Sequence, residues 1–476
     1  MRLPTFSRHS LQRILAISLT LLISACGGPK STFSTQPDSS NEWTWVDGSD
    51  TWNATAVYGQ KGTASLGNIP GARGATADWT DRTGNFWLFG GTLAMSGVGE
   101  ASVGNDLWKY DVTAQEWTWV GGSRVANQPG TYGMLDTASS SNIPGGREAS
   151  TSWTDSSGNF WLFGGIAYDS IGGYAADIND LWKFTPTNGT WTWVSGSNLN
   201  SLTGVAKGVY GTQGVSSSTN VPGARDSAAG WADNSGNLWL FGGYGYDSSG
   251  EFGALNDLWE FKPSASTWTW ISGSKTVFAS GVYGTRGVPA ASNVPQARER
   301  IVSWIDKAGN LWLFGGIGWS SSTAGMLNDL WKFDPATNIW TWISGSSTFD
   351  ATSVYGTQGV PASSNIPGGR ESAISWSDNA GNLWLYGGLM YGGSEFSDLW
   401  EYSPANNTWT WLSGSMVPDV AGAYGTQGIP GASNFPGSRD AAAGWTDHAG
   451  DLWLFGGGQE DSQGGGTLND LWRYQP

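Results

Sequence analysis

A five-residue run that comes back six times limits what this 476-residue chain can fold into. Trp87-Leu88-Phe89-Gly90-Gly91 returns at Trp161, Trp239, Trp312, Trp384 and Trp453, with Tyr386 once in place of Phe. The spacings are 74, 78, 73, 72 and 69 residues. Five copies are followed by Asn-Asp-Leu-Trp, beginning at Asn105, Asn179, Asn256, Asn328 and Asn469; the fifth unit has Ser397 for the Asn. Trp-Thr-Trp comes next, as in Trp117-Thr118-Trp119, and then a long Gly/Ser/Pro segment that ends in Pro-x-x-Arg. Units of this kind cannot bury an apolar face alone and must stack on their neighbours.

Each unit carries four short runs with the two-residue period of a strand. In the second unit these are Arg147 to Trp153, Asn159 to Phe163, Asp180 to Phe184 and Thr190 to Val194. The first two are joined by Asp-x-x-Gly, as in Asp155-Ser156-Ser157-Gly158, where Asp bonds nearby backbone and Gly takes a positive φ. No helical period occurs after the N-terminal segment. Four antiparallel strands repeated six times predict an all-β, six-bladed β-propeller of four-stranded blades. The chain opens on an isolated Trp43-Thr44-Trp45 and stops at Trp472-Arg473-Tyr474, where the next Trp-Thr-Trp is due. Trp43 to Val46 is therefore expected to complete the last blade, closing the ring and covering a strand edge.

The units resemble the kelch repeat. Gly-Gly ends strand two, and Tyr or Phe in strand three precedes a Trp by seven residues: Tyr110/Trp117, Phe184/Trp191, Phe261/Trp268, Phe333/Trp340 and Tyr402/Trp409. The resemblance covers residues 42–476 and implies the propeller of the galactose oxidase central domain. It departs from the usual kelch period of about 50 residues, and the excess lies between strands four and one. The copper-radical chemistry of galactose oxidase needs two His and a Cys–Tyr crosslink. His9 falls in the N-terminal segment expected to be removed, which leaves one His, His448, and the one Cys, Cys26, is the expected lipid anchor, so that chemistry is excluded.

The first 25 residues have Arg2, Arg8 and Arg13, no acid, and an apolar run from Ile14 to Ile23. This reads as a signal peptide, and Ile23-Ser24-Ala25-Cys26 resembles a bacterial lipobox. Residues 1–25 are expected to be removed, residues 26–41 to form a flexible tether with acylated Cys26, and residues 42–476 to form the propeller. Gly27 after the Cys leans towards the outer membrane. The expected place is therefore the cell envelope, with the lipid as the membrane partner. The net charge of −16 repels nucleic acid. A lone Cys allows no internal disulfide. No metalloprotease, nucleophile-elbow, P-loop or dinucleotide motif is present, so no catalytic residue, metal ligand or cofactor is assigned.

Subtracting what the repeat explains leaves the candidate binding residues. Six Arg open strand one: Arg73, Arg147, Arg225, Arg298, Arg370 and Arg439. They are read as ion pairs that fix the loops or, alternatively, as a cationic rim around the central channel. An acid follows all of them except Arg73. Of 32 Trp, 30 belong to the repeat and are assigned to packing between blades; Trp52 and Trp319 do not. Loops two–three and four–one share one face and are long, so function is expected there. Tyr168, Tyr244, Tyr246, Tyr391 and Trp319 in these loops are candidate ligand contacts. Arg286, Arg298 and Arg300 break the symmetry of the fourth unit and could form a pocket for an acidic sugar. The reading is a monomeric, non-catalytic, surface-anchored binding module for glycans. The alternatives are an envelope protein scaffold or adhesin, or a metal-free sugar epimerase similar to kelch-type sialic-acid mutarotases.

Overall fold

The computed structural model describes residues 40–93, 102–173, 175–204, 206–320, 322–461 and 464–476. The chain divides into two units, Met1–Asp38 and Ser39–Pro476. The first unit lies outside the described residues, and with it the expected signal peptide and Cys26.

Among the described residues, the second unit has six four-stranded antiparallel sheets and four smaller three-stranded ones. In blade two the strands are Thr151–Thr154, Phe160–Phe163, Leu181–Thr185 and Thr190–Ser195, in sheet order. The register places Trp153 opposite Trp161 and Trp182 opposite Trp193. Blade six is built from Ala443–Thr446, Leu452–Asp461 and Gly464–Gln475, with Glu42–Asp47 as its outer strand. Trp43 pairs with Tyr474 and Trp45 with Trp472, as the staggered ends of the repeat require.

The repeated aromatics hold adjacent blades together. There are six apolar clusters, and each straddles one junction between blades, including the junction of blade six with blade one. In the first, Trp79 of blade one stacks on Phe160 of blade two at 5.2 Å. At the closing junction Phe86 stacks on Trp445 at 5.0 Å. Aromatic rings bury about 150–250 Å² each, and Trp occurs in every one of these clusters beside Leu, Phe and Tyr. The indole N–H groups are used as well. Trp79, Trp153, Trp231, Trp304 and Trp376 each donate to the carbonyl of the strand-two Trp of the next blade. All six strand-two Trp donate to the Asp of the tight turn beside them, as Trp161 does to Asp155 at 2.8 Å.

Strand one differs from its expected form. The run Arg147 to Trp153 is not one strand but two, Arg147–Glu148 and Thr151–Thr154. The break falls at Ala149, whose φ is +53°. All six units bend at this point, at Ala75, Ala149, Ser227, Arg300, Ser372 and Ala441, with φ between 51° and 55°; in the last two the first piece is a single bridge at Glu371 and Asp440. The reason is a closed ring of hydrogen bonds. Each of these residues donates its N–H to the carbonyl of its counterpart in the preceding blade, and Ala75 donates to Ala441, at 2.9–3.1 Å. A left-handed conformation costs a residue with a Cβ about 1–2 kcal/mol. The ring offsets this by satisfying six donors and six acceptors at the axis. Strand two bends in step at Gly-Gly: Gly164 and Gly165 have φ of 65° and 92°, and a Cβ on Gly164 would lie 2.6 Å from the Arg225 carbonyl.

The long four–one segments do structural work that the sequence reading had left to ligand binding. Each runs back over the outer edge of the blade it leads into. Gly62 N–H bonds the Trp119 carbonyl at 2.8 Å, and Asn68 Nδ2 bonds the Trp117 carbonyl at 3.0 Å. Outer strand edges that would otherwise template pairing with other chains are thereby covered.

Candidate functional site at the mouth of the central channel

The six strand-one Arg lie inside the blades. Arg73 pairs bidentately with Asp106, both Nη–Oδ distances being 2.8 Å, and its Nε and Nη1 also reach the carbonyls of Gly71 and Gly90. Arg147, Arg225, Arg298, Arg370 and Arg439 repeat this with Asp180, Asp257, Asp329, Asp398 and Asp470. The partner is the Asp of Asn-Asp-Leu-Trp and not the acid next in sequence. All twelve side chains are buried, so these Arg make no rim of exposed cations. Each Asp is satisfied twice more. Asp106 accepts from Trp108 Nε1 at 2.7 Å and from Tyr58 OH at 2.9 Å. Burial pushes the Asp106 carboxyl up, but the Arg73 charge and these bonds outweigh it and hold it below its ordinary value. The Tyr was missed in the sequence, although a Tyr-Gly pair recurs there as Tyr58, Tyr132, Tyr210, Tyr283, Tyr355 and Tyr424. All six Tyr reach the corresponding Asp.

The residue after each Arg precedes the hydrogen-bonded ring and faces the channel mouth. These are Gly74, Glu148, Asp226, Glu299, Glu371 and Asp440. Asp177, from the two–three hairpin of blade two, joins them beside Asp226. Burial, and then the Asp226 charge, raise the Asp177 carboxyl. Burial and Asp226 push Glu299 up to about 7, against the opposing influence of Arg300 and a hydrogen bond from Trp319. Glu371 is raised by burial. Arg300 stands among them, 45% exposed at its side chain, with Nη1 3.2 Å from Glu371 and Nε 3.9 Å from Glu299. Glu148 accepts a hydrogen bond from Thr92.

An aromatic wall adjoins these acids. Trp319 Nε1 donates to Glu299 at 2.9 Å. The Trp319 ring lies 5.5 Å from Tyr244 and 5.9 Å from Phe278. Phe252 packs between Tyr244 and Tyr246 at 4.9 and 4.8 Å. Burial, followed by the charges of Glu299, Asp226 and Asp177, raises the Tyr244 hydroxyl. Tyr244, Tyr246 and Trp319 therefore do come together. Phe278, in a four–one segment with no aromatic counterpart in most units, is the member that sequence reasoning omitted.

The other candidates are dispersed. Tyr168 is buried. Tyr391 is 67% exposed and lies at an apolar hollow of about 260 Å³ with Met326, Met390, Phe396 and Met416. Arg286 stacks at 4.5 Å over Trp342 of an outer strand and bonds the Gly345 carbonyl. Arg298 is locked on Asp329, and Arg300 sits at the axis. The three arginines thus have separate partners, and the structure forms no acidic-sugar pocket from them.

Below the ring runs a channel of about 490 Å³, lined by Ser152, Ser303, Ser375, Gly230 and Gly444, with one carboxylate, Asp78. Asp78 accepts from the Gly444 N–H at 3.2 Å, and burial pushes it up to about 7. No group of three or more His, Cys, Asp and Glu able to hold a metal exists among the described residues.

Six sheets joined in a cycle by their inner strands define the class: a six-bladed β-propeller. Residues 212–415, which comprise blades three to five with their leading segments, match the model of the KLHDC2/KLHL20/DRC7 Kelch-repeats domain. Residues 212–415 are thus kelch repeats, and the other three blades repeat their pattern. No curated protein matches it.

Proposed function

We propose that the propeller is a non-catalytic binding module of the bacterial cell envelope, held at the membrane through acylated Cys26, which engages a protein partner with its long-loop face. Kelch repeats form protein-binding propellers, and this is the coarse role we assign. The observation that carries the reading is the exposure of large apolar side chains at the tips of the two–three loops. Ile171 is 70% exposed, Phe252 44% and Tyr391 67%. Side chains of this kind cost least when a partner covers them. The acidic mouth argues against an anionic ligand, which like charge would repel.

A photo-crosslinking residue placed in cells at position 171, 252 or 391 should give one discrete protein adduct common to the three. The same residue at Ser157, on the tight-turn face, should give none. Absence of adducts from all three loop tips would overturn the reading. Cys26→Ser should release the protein from the membrane fraction.

A second reading, a neutral glycan stacked at Tyr244, Tyr246 and Trp319, is favoured by the neighbouring carboxylates, which can accept sugar hydroxyls. It is distinguished by binding on a glycan array that free sugar competes and that the Tyr244→Ala/Trp319→Ala variant loses.

A further inference from the structure

The acids at the channel mouth are unequally neutralised. Arg300 serves one side, where Glu371 and Glu299 lie within 3.2 and 3.9 Å of its guanidinium. Next along the ring stand Asp177 and Asp226, side by side because the Arg225 N–H bonds the Ile178 carbonyl at 3.3 Å. Arg300 influences Asp226 only through its charge. Asp177 is 7% exposed, and its Oδ1 has no hydrogen-bond partner among the described residues. A carboxylate this buried is costly unless paired.

The ring residues at this point have short side chains. Of the ring's six residues only Arg300 is long; the others are Ala75, Ala149, Ser227, Ser372 and Ala441. Tyr244 lies directly across the strand pair from Asp226, and its hydroxyl feels both aspartate charges. Two carboxylates with an aromatic face form the environment that binds an organic cation, through charge and through the ring quadrupole together.

We propose that the Asp177–Asp226 part of the mouth, walled by Tyr244, receives the guanidinium or ammonium group of a basic side chain presented by the protein partner, as Arg300 serves the neighbouring Glu299 and Glu371. The inference rests on the protein-binding reading above and names the chemistry that the partner must present. Without the cation, the two carboxyls hold one proton between them and carry a single negative charge. When a cation arrives, that proton leaves to solvent, and both carboxylates accept N–H donors. The charged and titratable groups that face the pair are Glu299, Arg300 and Tyr244, with Glu371 and Asp440 behind Arg300.

The test is titration of the full chain with N-acetyl-arginine amide at pH 7, by calorimetry in two buffers of different ionisation enthalpy. N-acetyl-citrulline amide, the same shape without charge, is the control. The expected result is at least a tenfold preference for the arginine compound, with up to one proton released per molecule bound. Asp177→Asn/Asp226→Asn should abolish both the preference and the proton release. The amides are isosteric and remove like-charge repulsion, so the melting temperature should hold or rise. No preference for arginine over citrulline, or a preference unchanged in the double variant, would overturn the proposal. If adducts at positions 171, 252 and 391 persist in that case, the protein-binding reading stands without it; if they are absent as well, both fall.

Discussion

Replacing Arg73 by Met tests the energetic centre of the blade. The substitution keeps most of the volume and removes the charge that faces Asp106. It leaves a carboxylate, 1% exposed, with only Tyr58 OH and Trp108 Nε1 as donors, and strips donors from the Gly71 and Gly90 carbonyls. Breaking a buried pair on one side costs about 3–5 kcal/mol. Unfolding entropy is roughly 2.1 cal/mol/K per residue, or about 0.9 kcal/mol/K over about 435 residues, so the melting temperature should fall by about 3–6 °C. Tryptophan fluorescence reports the transition. The loss should be largest at neutral pH. Asp106 is depressed in the folded wild type, so its contribution is present above the unfolded pKa near 3.9 and disappears as pH falls through the folded value. Without Arg73, burial raises that carboxyl, and acid restores part of the lost stability by protonating it. Arg73→Met/Asp106→Asn keeps an acceptor for Tyr58 and Trp108 and should lie at least about 2 kcal/mol above the sum of the single variants. A drop below 1 °C for Arg73→Met, or strict additivity in the double variant, would refute the reasoning.

Asp78 gives an effect of opposite sign. Its folded pKa of about 7 lies above the unfolded value, so the folded state loses stability between about pH 4 and 7 as the unfolded chain ionises first. Asp78→Ser, which copies Ser152, Ser303 and Ser375, should raise the melting temperature at pH 8 and leave it nearly unchanged at pH 4. Deleting residues 39–47 removes the outer strand of blade six and bares the edge of Gly464–Gln475. Concentration-dependent association by light scattering is expected; a monodisperse product of unchanged melting temperature would show that the closing strand is dispensable.

Much of the fold was legible because a strand repeat leaves its period in the sequence. Trp-Leu-Phe-Gly-Gly marks every second strand, Asp-x-x-Gly every tight turn of strands one and two, and the staggered Trp43-Thr44-Trp45 the closing strand. Those features depend on local chemistry: alternation, turn residues, and aromatic area that only a neighbouring blade can cover. The partner of each strand-one Arg was harder to read. Asp106 lies 33 residues from Arg73, whereas Glu148 directly follows Arg147. Proximity along the chain pointed to the wrong acid, because successive residues of a strand face opposite sides.

The tertiary structure alone decided what happens at the axis. Nothing in Ala149, Ser227 or Arg300 as residue types calls for a positive φ, and all six adopt one because ring closure brings each N–H to the carbonyl of its counterpart in the preceding blade, for Ala75 that of Ala441 from the far end of the chain. That kink aims Asp226, Glu299 and Glu371 at the mouth, brings Asp177 in from a hairpin, and sets Tyr244, Trp319 and Phe278 beside them. Three candidate arginines adjacent in one repeat were in turn sent to an outer strand, a blade interior and the axis. The repeat determines which residues are built into blades. Which of the remaining residues share a site depends on how six blades meet at one axis, and that distance is not encoded in any single repeat.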